Sequence, residues 1–69
     1  MSTTTSTWNV TGMTCGHCVA SVTEELLEVD GIETVEVDLP TGAVTVTSAG
    51  PVERADVAAA VDEAGYALA

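Results

Sequence analysis

The sequence contains no lysine and no phenylalanine, and a single arginine, Arg54, stands against eleven aspartates and glutamates. The formal net charge is therefore −10. The phosphates of nucleic acids and the head groups of anionic membranes repel a protein with such a charge. This charge balance excludes a nucleic-acid-binding protein and a protein that binds anionic membrane surfaces.

Long apolar runs are also missing at the start of the chain. The segment MSTTTSTWNV has neither a positively charged side chain nor an apolar run, so it is typical of neither a secretory signal nor a membrane span. We therefore expect a cytoplasmic protein without direct membrane insertion. In a reducing cytosol two neighbouring cysteines remain thiols, which makes them candidates for metal binding or catalysis.

The excess of carboxylates has two interpretations. It resembles the composition of acidic, halophilic proteins from salt-accumulating cells, in which molar salt shortens the Debye length to about 3 Å. It is also typical of an acidic docking surface for a basic partner. The run Glu24, Glu25 and Glu28 is expected to be a solvated face of a helix rather than such a surface.

The 69 residues form one predicted domain, residues 1–69, with a core that is marginal because the chain is short. Apolar residues make up 46% of the chain, mostly alanine and valine, with one tryptophan and one tyrosine. Such small side chains suit a thin layer of helices on a sheet. We expect residues 1–6, rich in serine and threonine, to be frayed.

Alternating apolar and polar residues predict the strands. In TWNVTG, Trp8 and Val10 share one face, and the strand ends at Gly12. The segments IETVEVDL and AVTVT repeat the alternation, and the turn PTG between them predicts an antiparallel hairpin. Their inward residues are Val35, Val37, Val44 and Val46. The segment YALA is a short final strand.

Apolar spacings of three and four predict two amphipathic helices. The first runs from Cys18 to the pair Asp30–Gly31, and the second from about Val52 to Ala64, with no obvious N-terminal cap. The order is β-α-β-β-α-β. It predicts an α+β, ferredoxin-like fold with a four-stranded antiparallel sheet and both helices on one face.

The segment GMTCGHC lies between the first strand and the first helix. Cys15 is thus predicted in the loop and Cys18 in the first helical turn, where backbone N–H groups lack partners and carry partial positive charge. Thiolates, the form of cysteine that binds soft metals, are favoured there. Gly12 and Gly16 allow the loop to present both sulfurs without crowding.

Counting ligands favours Cu(I) over zinc. Structural zinc normally takes four ligands, whereas the chain offers two cysteines and His17. Cu(I) is a soft ion that two thiolates can hold, with one side left open for exchange. Thr14 favours the same ion, because an aspartate at that position could supply a hard oxygen ligand to a divalent ion.

The segment GMTCGHCVASV, the pair Gly65–Tyr66 and the order of elements resemble the heavy-metal-associated domain family. The resemblance is strongest to small soluble copper chaperones and to the N-terminal metal-binding domains of copper-transporting P-type ATPases, and it covers residues 8–68. Lysines that some relatives place near the site are missing here.

The resemblance implies that Cys15 and Cys18 bind Cu(I) and pass it to a domain of a copper-transporting P-type ATPase through cysteine-bridged intermediates. It also implies that Met13 anchors the loop in the core and that Tyr66 lies near the site. His17 could bind the metal, with copper shared in a homodimer, form a hydrogen bond near a sulfur, or point into solvent.

Two alternatives remain at this stage. One is a mercury- or zinc-binding protein of the same family, and the other, from a different class, is a dithiol oxidoreductase. Because no acid–base constellation accompanies the cysteines, we expect no catalytic residues and no enzyme activity.

Overall fold

A computed structural model describes residues 3–14 and 16–69. These residues form four strands and two helices in the predicted order. The elements are β1 (Thr4–Thr11), α1 (Gly16–Leu27), β2 (Ile32–Asp38), β3 (Ala43–Ser48), α2 (Arg54–Glu63) and β4 (Ala67–Leu68). The predicted α+β, ferredoxin-like fold is therefore confirmed.

The four strands form one antiparallel sheet in the order β2-β3-β1-β4. Trp8 of β1 is paired with Val44 of β3, which places both on the face that Val10 and Val46 share. The predicted faces of the strands and the predicted hairpin are thus confirmed. β1 lies inside the sheet, so the loop that follows it starts from a fixed position.

The core lies between one face of the sheet and the two helices. Nine buried apolar residues form it: Val10, Val22, Leu26, Ile32, Val44, Val46, Val57, Ala60 and Val61. On the other face of the sheet, residues such as Thr5, Thr7 and Asn9 are exposed. The helices therefore cover one side only, as the alternation in the strands predicted.

The prediction that residues 1–6 are frayed is wrong for Thr4 to Ser6. These residues belong to β1, where Thr4 is paired with Ser48 and Ser6 with Val46. The buried Ser48 hydroxyl also donates a hydrogen bond to the carbonyl oxygen of Thr4, at 3.3 Å. β-branched threonines favour strands. Together with the pairing to β3, this preference keeps the polar segment in the sheet. Met1 and Ser2 lie outside the described residues.

The helices differ from their predicted bounds at both ends: α1 ends at Leu27, before the predicted pair Asp30–Gly31, and α2 ends at Glu63, one residue before Ala64. α1 begins at Gly16 rather than at Cys18, and α2 begins at Arg54 because Glu53 is still extended, with φ −74° and ψ 137°. The side chain of Glu53 makes no capping hydrogen bond, which confirms the expected lack of a cap. No helix within the described residues is long and apolar enough to cross a membrane.

The turn between β2 and β3 is packed against the end of β1. The backbone N–H of Val10 donates to the carbonyl oxygen of Gly42 at 2.9 Å, and the N–H of Gly42 donates to Asp38 at 2.8 Å. Gly42 has φ +75°, and a Cβ at this position would lie 2.6 Å from the carbonyl oxygen of Val10. Gly42 thus permits a close contact that fixes the last residues of β1.

The acidic side chains crowd along the two helices. Glu25, Glu28, Asp56 and Glu63 line an open groove between α1 and α2. Partial burial raises the pKa of Glu25 above its ordinary value of 4.5, and the negative charges of Glu28, Glu63 and Glu24 raise it further. The folded state therefore opposes ionisation of this carboxyl group.

We expect Gly42→Ala to lower the free energy of unfolding by about 2 kcal/mol or more, because left-handed backbone costs a residue with a Cβ about 1–2 kcal/mol before any clash is counted. Urea denaturation followed by circular dichroism measures this. Gly50→Ala is the matched control, since its added Cβ would meet nothing within 4 Å. Equal stability of the two variants would contradict the packing of the turn.

We expect Glu25→Gln to stabilise the protein at neutral pH. A raised pKa means that the folded state binds the proton more tightly than the unfolded chain, so stability falls as pH rises through and above 4.5. The gain should vanish below that pH and shrink in molar salt, which screens the neighbouring charges. Thermal unfolding across pH and salt measures the effect.

Glu36→Gln is the control for this experiment, because it removes the same charge from the exposed face of the sheet, opposite Thr45. A gain as large in the Glu36 variant as in the Glu25 variant would assign the effect to net charge rather than to the groove.

Candidate metal centre

The loop between β1 and α1 leaves the sheet at Gly12. This residue has φ +93°, a conformation that favours glycine. A Cβ here would lie 3.3 Å from Cδ1 of Tyr66, so the ring of Tyr66 packs directly over the backbone of Gly12. The connection between α2 and β4 thus reaches the loop. The geometry brings Tyr66 to the loop that leads from β1 to α1.

Met13 follows Gly12 and points toward the core. Its side chain is half-buried and packs against the buried apolar cluster. A flexible thioether fills irregular gaps in a core well. This contact holds the middle of the loop against the protein body, between the strand and the helix.

Cys18 lies in the first turn of α1 and is only 6% exposed. The first N–H groups of a helix have no partners within it, and together they carry a partial positive charge. No acidic residue lies in this turn of α1. The position therefore favours a negatively charged sulfur.

Thr14 contacts the sulfur of Cys18 through two groups. Its backbone N–H donates to Sγ at 3.5 Å, and its hydroxyl oxygen lies 3.9 Å from the same atom. The sequence analysis placed Thr14 among the loop residues beside the site and used its lack of a carboxylate, but it missed both contacts. The spacing of four residues, with Thr14 just before the helix, is the signal that could have revealed them.

Gly16 and His17 are the first two residues of α1, and both are exposed. A Cβ on Gly16 would meet no atom within 4 Å, so space alone does not demand glycine there. The imidazole of His17 lies on the solvent side of the helix start. Any role of His17 as a ligand stays a prediction.

Cys15 lies outside the described residues, so its predicted role as a ligand stays a prediction as well. Within residues 3–14 and 16–69, no three His, Cys, Asp or Glu side chains form a group that could hold a metal ion. Soft thiolates suit Cu(I), and a pair of them can hold it.

Comparison with known proteins bears on the family of this chain. The model of the heavy-metal-associated domain family matches residues 7–67. The copper chaperone CopZ of Bacillus subtilis is 41% identical over 64 residues, which are 91% of this chain and 93% of CopZ.

Two solved structures extend the comparison. A CopZ metallochaperone has a TM-score of 0.88 at 31% identity, covering 96% of this chain and all of its own. A copper-binding domain from HMA7, a P-type ATPase, has a TM-score of 0.84 at 30% identity, covering 94% of this chain and 89% of its own. Because the family model spans most of the sequence and the fold agrees, this chain belongs to the heavy-metal-associated domain family.

Proposed function

We propose that this protein is a cytoplasmic Cu(I) metallochaperone that holds copper between Cys15 and Cys18 and delivers it to a copper-transporting P-type ATPase. The observation that carries the proposal is the sulfur of Cys18, which is nearly buried at the positive end of α1 and is contacted by the N–H and the hydroxyl group of Thr14. The likeness to a copper chaperone over 91% of the chain supports the same function.

The choice of Cu(I) rests on the ligands. Two thiolates satisfy Cu(I), whereas structural zinc normally takes four ligands. The described residues hold no group of three candidate ligands, and Thr14 brings a hydroxyl rather than a carboxylate to Cys18. A divalent ion would therefore lack hard oxygen ligands here.

Delivery is an exchange of ligands. A thiolate of the acceptor domain forms a bond to copper while one sulfur of the chaperone leaves it, and a second exchange completes the transfer. The copper remains Cu(I), so no electron is moved. A proton lost by each incoming thiol goes, through solvent, to the sulfur that leaves. The reaction needs only ligands, which agrees with a protein without catalytic residues.

The acceptor is proposed to share this fold. The P-type ATPase domain compared above is described as copper-binding and superposes on 94% of this chain. Two such domains could bring their loops together, so that the acceptor's sulfur approaches copper from the open side. A homodimer that shares one copper would use the same approach between two copies.

We expect the reduced protein to take Cu(I) from a bathocuproine-type chelator and to bind zinc far more weakly. An anaerobic titration followed by the absorbance of the chelator measures both the affinity and the stoichiometry. Cys15→Ser and Cys18→Ser should each abolish competition, because one remaining thiolate cannot hold the ion. His17→Ala should retain it. Size-exclusion chromatography distinguishes one copper per chain from one per dimer.

Other outcomes of this titration have distinct meanings. Preference for zinc or mercury would replace copper by the other metals of the family. Failure to bind any of them, together with reduction of a disulfide substrate, would indicate a dithiol oxidoreductase. Undiminished copper binding after both cysteine substitutions would exclude the proposed site.

We expect copper to pass directly to the copper-binding domain of a copper-transporting P-type ATPase. The copper-loaded protein is mixed with the metal-free domain, the two are separated, and the copper on each is measured. In the control, a dialysis membrane that only small ions cross keeps the proteins apart. Transfer that is as fast across the membrane as in the mixture would mean release of free copper instead of exchange.

A further inference from the structure

We propose that Thr14 is a positioning residue whose side-chain hydroxyl helps to hold copper on Cys18 and slows its release. The inference rests on the proposed function, since it concerns the same sulfur. It starts from two contacts that one residue makes with one atom: the N–H of Thr14 at 3.5 Å from Sγ and its hydroxyl at 3.9 Å.

Burial makes such donors necessary. A cysteine must lose its proton to bind copper, so the sulfur of the complex carries negative charge. Cys18 is only 6% exposed, which leaves little of its surface for water to solvate. A buried charge needs donors within the protein. Thr14 supplies one from its backbone and a second from its side chain.

The direction of the second hydrogen bond changes with the state of the sulfur. In the thiol form, either the S–H or the hydroxyl of Thr14 can donate. In the copper-bound form the sulfur has no proton, so the hydroxyl must donate. The contact therefore stabilises the metal-bound sulfur more than the neutral thiol, and its loss should weaken copper binding more than folding.

The size of the effect can be bounded. Groups that hydrogen-bond to metal ligands typically change affinity by about 10–100-fold when they are removed. The side chain of Thr14 is exposed and its contact is long, so water can replace part of it. We therefore expect a smaller change of about three- to tenfold, which reaches only the lower limit of that range.

The test compares Thr14→Val, which keeps the shape and removes the hydroxyl, with Thr14→Ser, which keeps the hydroxyl. Copper-loaded proteins are mixed with excess bathocuproine-type chelator in a stopped-flow instrument, and release rates are extrapolated to zero chelator. The valine variant should release copper about three- to tenfold faster, and the serine variant should behave like the natural protein. Thr5→Val is the control. Thr5 is an exposed threonine at the start of β1, at the end of the strand that is far from the loop.

Thermal unfolding of the metal-free variants separates this role from a structural one, and all of them should unfold at nearly the same temperature. Should Thr14→Val fold poorly, Thr14→Ala takes its place. Unchanged release in a folded valine or alanine variant would overturn the inference while leaving the proposed function intact. Equal acceleration in the serine and valine variants would also overturn it. Failure of the natural protein to bind Cu(I) would instead reject the proposed function.

Discussion

The placement of the nearly buried Cys18 sulfur at the start of a helix is the constraint on which the proposed metal site depends. Cys18 lies where the N-terminus of the helix carries partial positive charge, and the N–H and the hydroxyl group of Thr14 contact its sulfur from the loop. Neither the N-terminus of the helix nor Thr14 would face the sulfur unless the loop left β1 in a fixed direction. The positive φ of Gly12 and the ring of Tyr66 above it determine that direction.

A small core makes this precision harder to reach. Among the described residues, the largest fully buried side chains are one leucine, five valines and a serine, so few large groups hold the elements together. The loop is held instead by contacts at its margins. Met13 packs into the core, and the turn at Gly42 is bonded to Val10, two residues before the loop begins. The site is thus supported by the backbone geometry of the loop more than by large buried side chains.

Periodicity alone predicted the architecture, because each strand and helix has one apolar face. Trp8 and Val10 on β1 and Val44 and Val46 on β3 lie where the alternation placed them. Spacing also placed Cys18 in the first helical turn. The contact between Gly42 and Val10 could not be predicted, because it joins residues distant in sequence through a turn whose conformation depends on the packed sheet.

The ordered start of β1 was missed for a related reason. Polar composition indicated fraying, whereas the strand is held by pairing with β3, and only the sheet register reveals that. The contact of Thr14 with Cys18 is local, yet it depends on the loop's exact path. Composition therefore predicts which residues pack, and the three-dimensional arrangement decides which polar groups meet.

The charge distribution along α1 follows from the same constraint. The first turn has no acidic residue, while Glu24 and Glu25 lie in the last turn and Glu28 just beyond it. Carboxylates at a helix C-terminus oppose its dipole and cost some stability. At a rise of about 1.5 Å per residue, Cys18 and Glu25 are roughly 10 Å apart along the axis. Within α1 the carboxylates therefore lie at the end opposite Cys18, which weakens their repulsion of the proposed thiolate.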